Sequence, residues 1–337
     1  MIMQRSRKRT RRTLRRRRSV LSGLIRSLSE DHRHGHPGRH ARHRYHIVWQ
    51  RFIPCAAFII MGAVSLSLLI SYGASSISRK HANAQLAIEY SEAFIQEEAT
   101  AAPAPAVTEA PAAPAALSVP QPMPVSTFRS LEGKPMSQAQ KLYKQNKDLV
   151  GWLYVKGIVS LPVVYRDNEY YLDHDFNKKA DKGGTLFLDE NHPLTEQTQN
   201  LVIHGHNMQD SSMFGILSTY INPGVVRSNP FATFSTMFAK EDYVVFAVMK
   251  VDPDVHSYRY FSYIGKPTFK NEADFYSYTG EMKEKSLFTI PVDVKPSDSL
   301  LTLATCVEDE RLVVVFRRLR EGETKKGLQA LVQETHL

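Results

Sequence analysis

The sequence predicts a mainly β domain, a closed antiparallel barrel, attached to a long N-terminal extension that does not belong to it. Between residues 151 and 316, seven or more short apolar or β-branched runs alternate with turn residues, which is typical of strands. Few helical patterns interrupt them, and closing such a sheet removes its exposed edges. The 337 residues, 42% of them hydrophobic, suffice for one sizeable domain with appendages.

The elements of this domain can be placed in order. Ser137 followed by Gln140 has the pattern of a helix capping box and predicts a helix to about Asn146. Residues 271–286 predict a second helix, inserted between late strands. The predicted strands cover residues 151–155, 161–165, 185–188, 200–204, 243–251, 299–305 and 311–316.

The basic charge of the chain is confined to its N-terminal tail. Residues 1–52 hold 16 Lys/Arg against two acids, whereas the other residues hold 27 Lys/Arg and 32 Asp/Glu. We expect residues 1–52 to form a cytoplasmic tail that sets membrane orientation and touches anionic lipid. Nucleic-acid binding by the tail is the less favoured alternative, and no nucleic-acid partner is expected.

Residues 52–78 carry no charge, and a bilayer span needs about 20 apolar residues. We therefore predict a single transmembrane anchor at 53–75, in the plasma membrane. The basic flank precedes it, so the N-terminus should face the cytoplasm and everything after about residue 79 the outside. A cleaved signal peptide is the alternative, although the tail is far longer than a usual n-region.

The remaining divisions follow from composition. Residues 76–127 predict a stalk and a Pro/Ala-rich linker, because seven prolines lie between residues 100 and 127. We expect the folded domain at 128–325 and a C-terminal tail at 326–337.

Two histidines and a cysteine are the first candidates for chemistry. His204 and His206, two apart on a predicted strand, would point to the same face and could bind a metal, or simply pack. No third ligand lies at a recognisable spacing, so we predict no metal and no cofactor.

Cys306 is the only cysteine of the exterior domain, which rules out a disulfide within it. Such a thiol forms an intermolecular bridge, is buried in the core, or is reactive.

Arg311 opens the strand that follows Cys306, after a short polar turn. It could be a surface cation paired with Glu308 or Glu310. With His206 and Cys306 it instead makes a coherent nucleophilic site. A free thiol with a pKa of about 8.5 is mostly protonated at neutral pH, and a neighbouring cation favours the reactive thiolate. A histidine can deliver the proton to a leaving amine, and an arginine fork suits an oxyanion.

At these residues the chain resembles a sortase. The segment Thr302-Leu303-Ala304-Thr305-Cys306 matches the family's Thr-Leu-x-Thr-Cys strand end, Arg311 matches the family arginine, and His206 matches the family histidine that follows a glycine. The chain also looks like class B sortases at residues 146–153, 167–176 and 183–189. The match spans roughly 128–320. This resemblance implies a closed sortase-type barrel of about eight strands with an N-terminal helix and an inserted helix near 271–286.

The resemblance also implies an activity. Class B sortases are cysteine transpeptidases that cleave a C-terminal sorting signal after its threonine, form a thioester, and transfer the product to an amine. The expected partners are a secreted protein with a sorting signal, a peptidoglycan-precursor or pilin amine, and membrane lipid at the anchor. The candidate substrate-binding residues are Asn168, Leu172, His204 and Thr305. His204 stands where class B sortases often have tyrosine.

Two departures concern substrate preference. Ala304 replaces a serine common in class B, and Val307 replaces an acidic residue that often follows the cysteine. Two other functions remain open. One is an exported cysteine hydrolase that uses the same three residues with water as acceptor. The other is a non-catalytic membrane-anchored binding protein.

Overall fold

The computed structural model describes residues 49–100, 137–193, 198–236 and 238–336. The chain divides into two units between Val64 and Ser65. Most of the predicted cytoplasmic tail, residues 1–48, lies outside the described residues. So do the Pro/Ala-rich linker at 101–127 and the expected start of the folded domain.

Helix α1 (Trp49–Thr100) contains the predicted anchor. Its described side chains in the first unit, from Ile53 to Val64, are all exposed. Among the described residues, Ile53–Ser91 is the one stretch long and apolar enough to cross a membrane, judged by length and composition. Composition thus permits the span predicted at 53–75.

In the second unit, α1 lies against the folded domain. Arg79 and Leu86, seven residues apart and therefore on one helix face, are buried. Tyr90 stacks on Trp152 with ring centroids 4.4 Å apart. Part of the segment expected as a stalk, residues 76–90, is therefore packed on the domain.

Within the described residues, eight strands close into one barrel in the order β1-β2-β3-β4-β7-β8-β6-β5. They are β1 (Leu149–Val155), β2 (Val159–Val164), β3 (Leu186–Leu188), β4 (Asn200–His204), β5 (Phe231–Thr236), β6 (Lys240–Val251), β7 (Leu300–Val307) and β8 (Glu310–Arg318). The barrel encloses the main apolar core. The predicted mainly β, closed barrel of about eight strands is confirmed.

Two details of the prediction were wrong. The barrel is mixed, because β2 pairs with β3 and β4 pairs with β7 in parallel. Strand β5 was absent from the predicted set. Each parallel pair is joined by a long connection, since parallel neighbours need a crossover where antiparallel ones need only a turn.

The helices surround this barrel. They are α2 (Ser137–Gln145), α3 (Pro223–Ser228), α4 (Glu272–Glu284) and α5 (Lys325–Gln333). Helix α4 is the predicted insertion. It begins after Asn271, whose side chain accepts a hydrogen bond from the Asp274 N–H, so one free donor of the first turn is satisfied.

Helix α5 lies, apart from its first residue, in the segment 326–337 that was expected to be a tail. Thr324 caps its first turn by accepting from the Gly327 N–H at 3.1 Å. Leu328 and Val332 are buried and belong to the main core. The C-terminal segment is therefore part of the folded domain.

Leu328→Ala tests the contribution of α5 to stability. Leu328 is 4% exposed, and truncating a buried leucine costs about 2–5 kcal/mol. We expect that loss in the free energy of unfolding of the full chain in detergent, measured by chemical denaturation. Leu331, on the same helix but 39% exposed, is the matched control, and Leu331→Ala should cost about 0.5 kcal/mol or less. Equal losses in both variants would contradict the packing described.

Candidate active site

The β7–β8 hairpin brings Cys306 and Arg311 together. The two residues are direct partners across the antiparallel pair, so their Cβ atoms lie roughly 4.5–5.5 Å apart on one face. The turn between them is only Glu308-Asp309, and Glu308 adopts a left-handed φ of 56°. Cys306 is exposed at the strand end and not buried in the core.

Nearby acids do not neutralise Arg311. Lys250 Nζ lies 2.7 Å from a Glu310 carboxylate oxygen and 3.7 Å from one of Glu308, and Arg259 also pairs with Glu310. In the part of the chain that the structure describes, Arg311 itself has no carboxylate partner. Its charge is therefore available at the mouth of the barrel.

The end of β4 is fixed to the end of β7. The strands are parallel with His204 opposite Ala304, and the Gly205 N–H donates to the Ala304 carbonyl at 3.2 Å. The Thr305 hydroxyl donates back to the Gly205 carbonyl at 2.8 Å. These bonds bring the next residue, His206, to the same end of the barrel as the thiol.

His206 is held by a backbone carbonyl. Its Nε2 lies 2.7 Å from the Leu172 oxygen, and a carbonyl can only accept, so Nε2 carries a hydrogen. Nδ1 is then the ring nitrogen that can gain or lose a proton while this bond persists. Leu172 belongs to the short 3₁₀ helix Tyr170–Leu172 and is 41% exposed.

A buried carboxylate, Asp189, holds two of the candidate residues, Asn168 and His204. It accepts from Asn168 Nδ2 at 3.0 Å, from His204 Nε2 at 3.1 Å, and from the backbone and side-chain amides of Asn191. Burial raises its pKa, but the hydrogen bonds from His204 and Asn191 outweigh this effect and lower the pKa to about 2. Asp189 is therefore ionised at neutral pH.

The candidate site forms one cavity of about 250 Å³. All seven candidate residues line it: Cys306, His206, Arg311, Asn168, Leu172, His204 and Thr305. Their chemical roles stay predictions. Within the described residues, no group of three or more His, Cys, Asp or Glu side chains could hold a metal ion.

Sequence reasoning missed several residues of the site. Phe187, Tyr263 and Ile264 also line the cavity. Burial raises the pKa of Tyr263 even though the positive charge of Arg311 lowers it. Tyr263 lies in an irregular segment with no local motif, so no signal could have identified it. Asp189 lies within residues 183–189, which resemble class B sortases, and this resemblance was the signal that could have identified it.

Comparisons with known proteins agree on one family. Sortase B of Listeria monocytogenes is 30% identical over 179 residues, which cover 52% of this chain and 70% of the relative. A Bacillus anthracis crystal structure described as similar to sortase B has 27% identity and a TM-score of 0.51, covering 58% of this chain and 88% of that one. Staphylococcus aureus sortase B has 29% identity and a TM-score of 0.50, covering 55% and 87%. No family model matches the chain.

Asp189→Asn tests the buried carboxylate through the pH dependence of stability. Its pKa is lower in the folded chain than in the unfolded chain, so its stabilisation is complete above about pH 4 and is lost as the pH falls towards 2. We expect the variant to be about 2 kcal/mol less stable at pH 7. The deficit should shrink between pH 4 and pH 2.

The readout is chemical denaturation across this pH range. Glu321→Gln, at an exposed carboxylate, is the matched control and should follow the wild type at every pH. A deficit for Asp189→Asn that stays constant down to pH 2 would contradict the assigned cause.

Proposed function

The chain belongs to the sortase B family, and on this premise we propose that it is a membrane-anchored cysteine transpeptidase with Cys306 as nucleophile. The observation that carries the proposal is a single cavity lined by Cys306, His206 and Arg311. A thiol, an imidazole and an unneutralised guanidinium suit acyl transfer through a thioester, as nucleophile, proton carrier and oxyanion donor.

In the first half-reaction, the Cys306 thiolate attacks the carbonyl carbon of a threonine in the sorting signal. The carbonyl oxygen becomes negative, and the Arg311 fork stabilises it. The C–N bond then breaks. His206, as imidazolium, gives its proton to the leaving amine while its Nε2–H bond to Leu172 keeps the ring oriented. The products are a thioester on Cys306 and the free C-terminal fragment.

In the second half-reaction, an amine attacks the thioester carbonyl and Cys306 leaves as thiolate. His206, now neutral, accepts the proton that the attacking amine loses. The new amide bond joins the secreted protein to the acceptor, for which a peptidoglycan precursor or a pilin lysine is proposed by resemblance. The starting protonation states are thereby restored.

The cavity wall offers a groove for the sorting signal. Asn168 has a fixed orientation, because its Oδ1 accepts from the Glu190 N–H at 2.9 Å while its Nδ2 donates to Asp189. One N–H of that amide remains to donate to a substrate carbonyl. The exposed Leu172 side chain supplies apolar contact, and His204 and Thr305 complete the proposed groove.

The proposed location is the plasma membrane, with a single span at 53–75 and lipid contacts around it. The basic tail favours an orientation with the N-terminus in the cytoplasm and the catalytic domain outside. The apolar composition of Ile53–Ser91 supports this location. The client is then a secreted protein that reaches the same membrane face.

Cys306→Ala should abolish the acyl-enzyme. The full chain is incubated with peptides carrying Asn-Pro-Gln-Thr-Asn-like or Leu-Pro-x-Thr-Gly-like signals, and intact mass is measured. We expect a thioester adduct on the wild type and none on the variant, because Cys306 is the thiol that lines the cavity. Cys55→Ala is the matched thiol control and should leave adduct formation unchanged. A full rate of product formation by Cys306→Ala would exclude the mechanism.

The acceptor distinguishes a transpeptidase from the alternative, a cysteine hydrolase. Adding a primary-amine acceptor at millimolar concentration should shift the product from the free acid to the amide, without changing the rate of adduct formation. Liquid chromatography with mass detection measures this ratio. A ratio that does not respond to the amine, with undiminished peptide cleavage, would favour the hydrolase.

A further inference from the structure

Arg79 is a charged residue of α1 that the folded domain buries almost completely. It is 5% exposed, whereas the adjacent Lys80 is exposed. A buried guanidinium is costly unless ion pairs and hydrogen bonds replace its hydration. The explanation for its burial therefore lies in its partners.

Two carboxylates from different loops neutralise Arg79. Its Nε donates to Asp181 Oδ1 at 2.8 Å, and its Nη1 donates to Asp210 Oδ2 at 2.9 Å. Nη1 also lies 3.3 Å from Ser212 Oγ. Ser76, one turn earlier in α1, donates to the same Asp210 oxygen at 2.6 Å. One rigid fork of donors thus holds both loops.

Both loops lead to His206. Asp181 follows Leu172 in the chain, and its N–H donates to the carbonyl of Asp173, the neighbour of the carbonyl that His206 contacts. Asp210 lies four residues after His206. The hydrogen bond that orients the imidazole has His206 as donor and the Leu172 carbonyl as acceptor. Arg79 therefore joins the two segments that contain these residues.

The packing around the Arg79 side chain leaves the neighbouring loops little room to move. A Cβ on Gly183 would collide with the arginine side chain, so the loop bearing Asp181 fits closely around it. On the other side, the Phe214 N–H donates to the His206 carbonyl at 2.9 Å and closes the histidine loop. A displacement of either carboxylate is thus transmitted to the backbone at His206.

Docking of α1 does not require a buried charge. Leu86 lies among apolar residues and Tyr90 stacks on Trp152. A buried ion pair is often no more stabilising than apolar side chains of the same volume. The ion pairs of Arg79 are therefore better explained by the two loops that they align than by the attachment of α1 to the domain.

We propose that Arg79 is a positioning residue that aligns His206 with the Cys306 thiol by joining the loops on either side of the imidazole. This inference rests on the proposed acyl transfer at Cys306. Arg79 is not among the residues lining the cavity, so it acts through His206 and not on the substrate.

Arg79→Ala in the full chain tests this role by steady-state kinetics with the signal peptides. We expect kcat to fall about 10- to 100-fold and KM to change less than about threefold, because alignment is lost while the groove persists. Arg79→Lys keeps the charge without the fork and should recover part of kcat. Lys80→Ala, the adjacent exposed cation, should retain the wild-type kcat.

Hydrogen exchange gives a readout independent of turnover. In Arg79→Ala, we expect faster exchange of backbone amides across residues 206–214, with the barrel strands unchanged. Leu86→Ala controls for a general loss of stability, because it loosens α1 without touching either carboxylate. It should lower the melting temperature and leave kcat near the wild-type value.

Two results would overturn the positioning role. One is a wild-type kcat in Arg79→Ala. The other is an equal loss of kcat in Leu86→Ala at a matched loss of melting temperature. Failure of the proposed function is distinguishable, because the wild-type chain itself would then form no adduct at Cys306, and both proposals would fall together.

Discussion

The pairing of β7 with β4 on one side and β8 on the other determines the geometry of the site. The antiparallel register puts Cys306 opposite Arg311, and the parallel register puts His204 opposite Ala304. A shift of one residue in either register would turn a side chain of the candidate site to the other face of the sheet. The bonds between Gly205, Ala304 and Thr305 hold that register at the strand ends.

The fold class could be predicted because long apolar runs such as those of β6 and β8 are buried and therefore carry strong patterns. Strand β5, Phe231–Thr236, mixes aromatic and hydroxyl residues, so its signal is weak. Strand direction is not encoded in such runs, which explains why the parallel pairs were missed. Helix α5 spans only nine residues, and a pattern that short is distinguished from a tail only by tertiary packing.

The site was accessible to sequence reasoning where a motif lies within one strand and its turn, as with Cys306 and Arg311. The contributions of Tyr263 and Asp189 arise from contacts between distant segments, and local composition does not mark them. Arg79 is the clearest example. In sequence it is a charged residue just beyond an apolar stretch, and only its two carboxylate partners reveal more.

The barrel topology has a consequence for the order of folding. Strand β1 pairs with β5, β4 with β7, and β6 with β8, so pairing of consecutive strands alone cannot close the barrel. Closure must wait until β8, the last strand of the barrel along the chain, has been synthesised. Topologies dominated by such distant pairings fold slowly. Until closure, the unpaired strand edges are open to aggregation, which favours chaperone protection of the nascent chain.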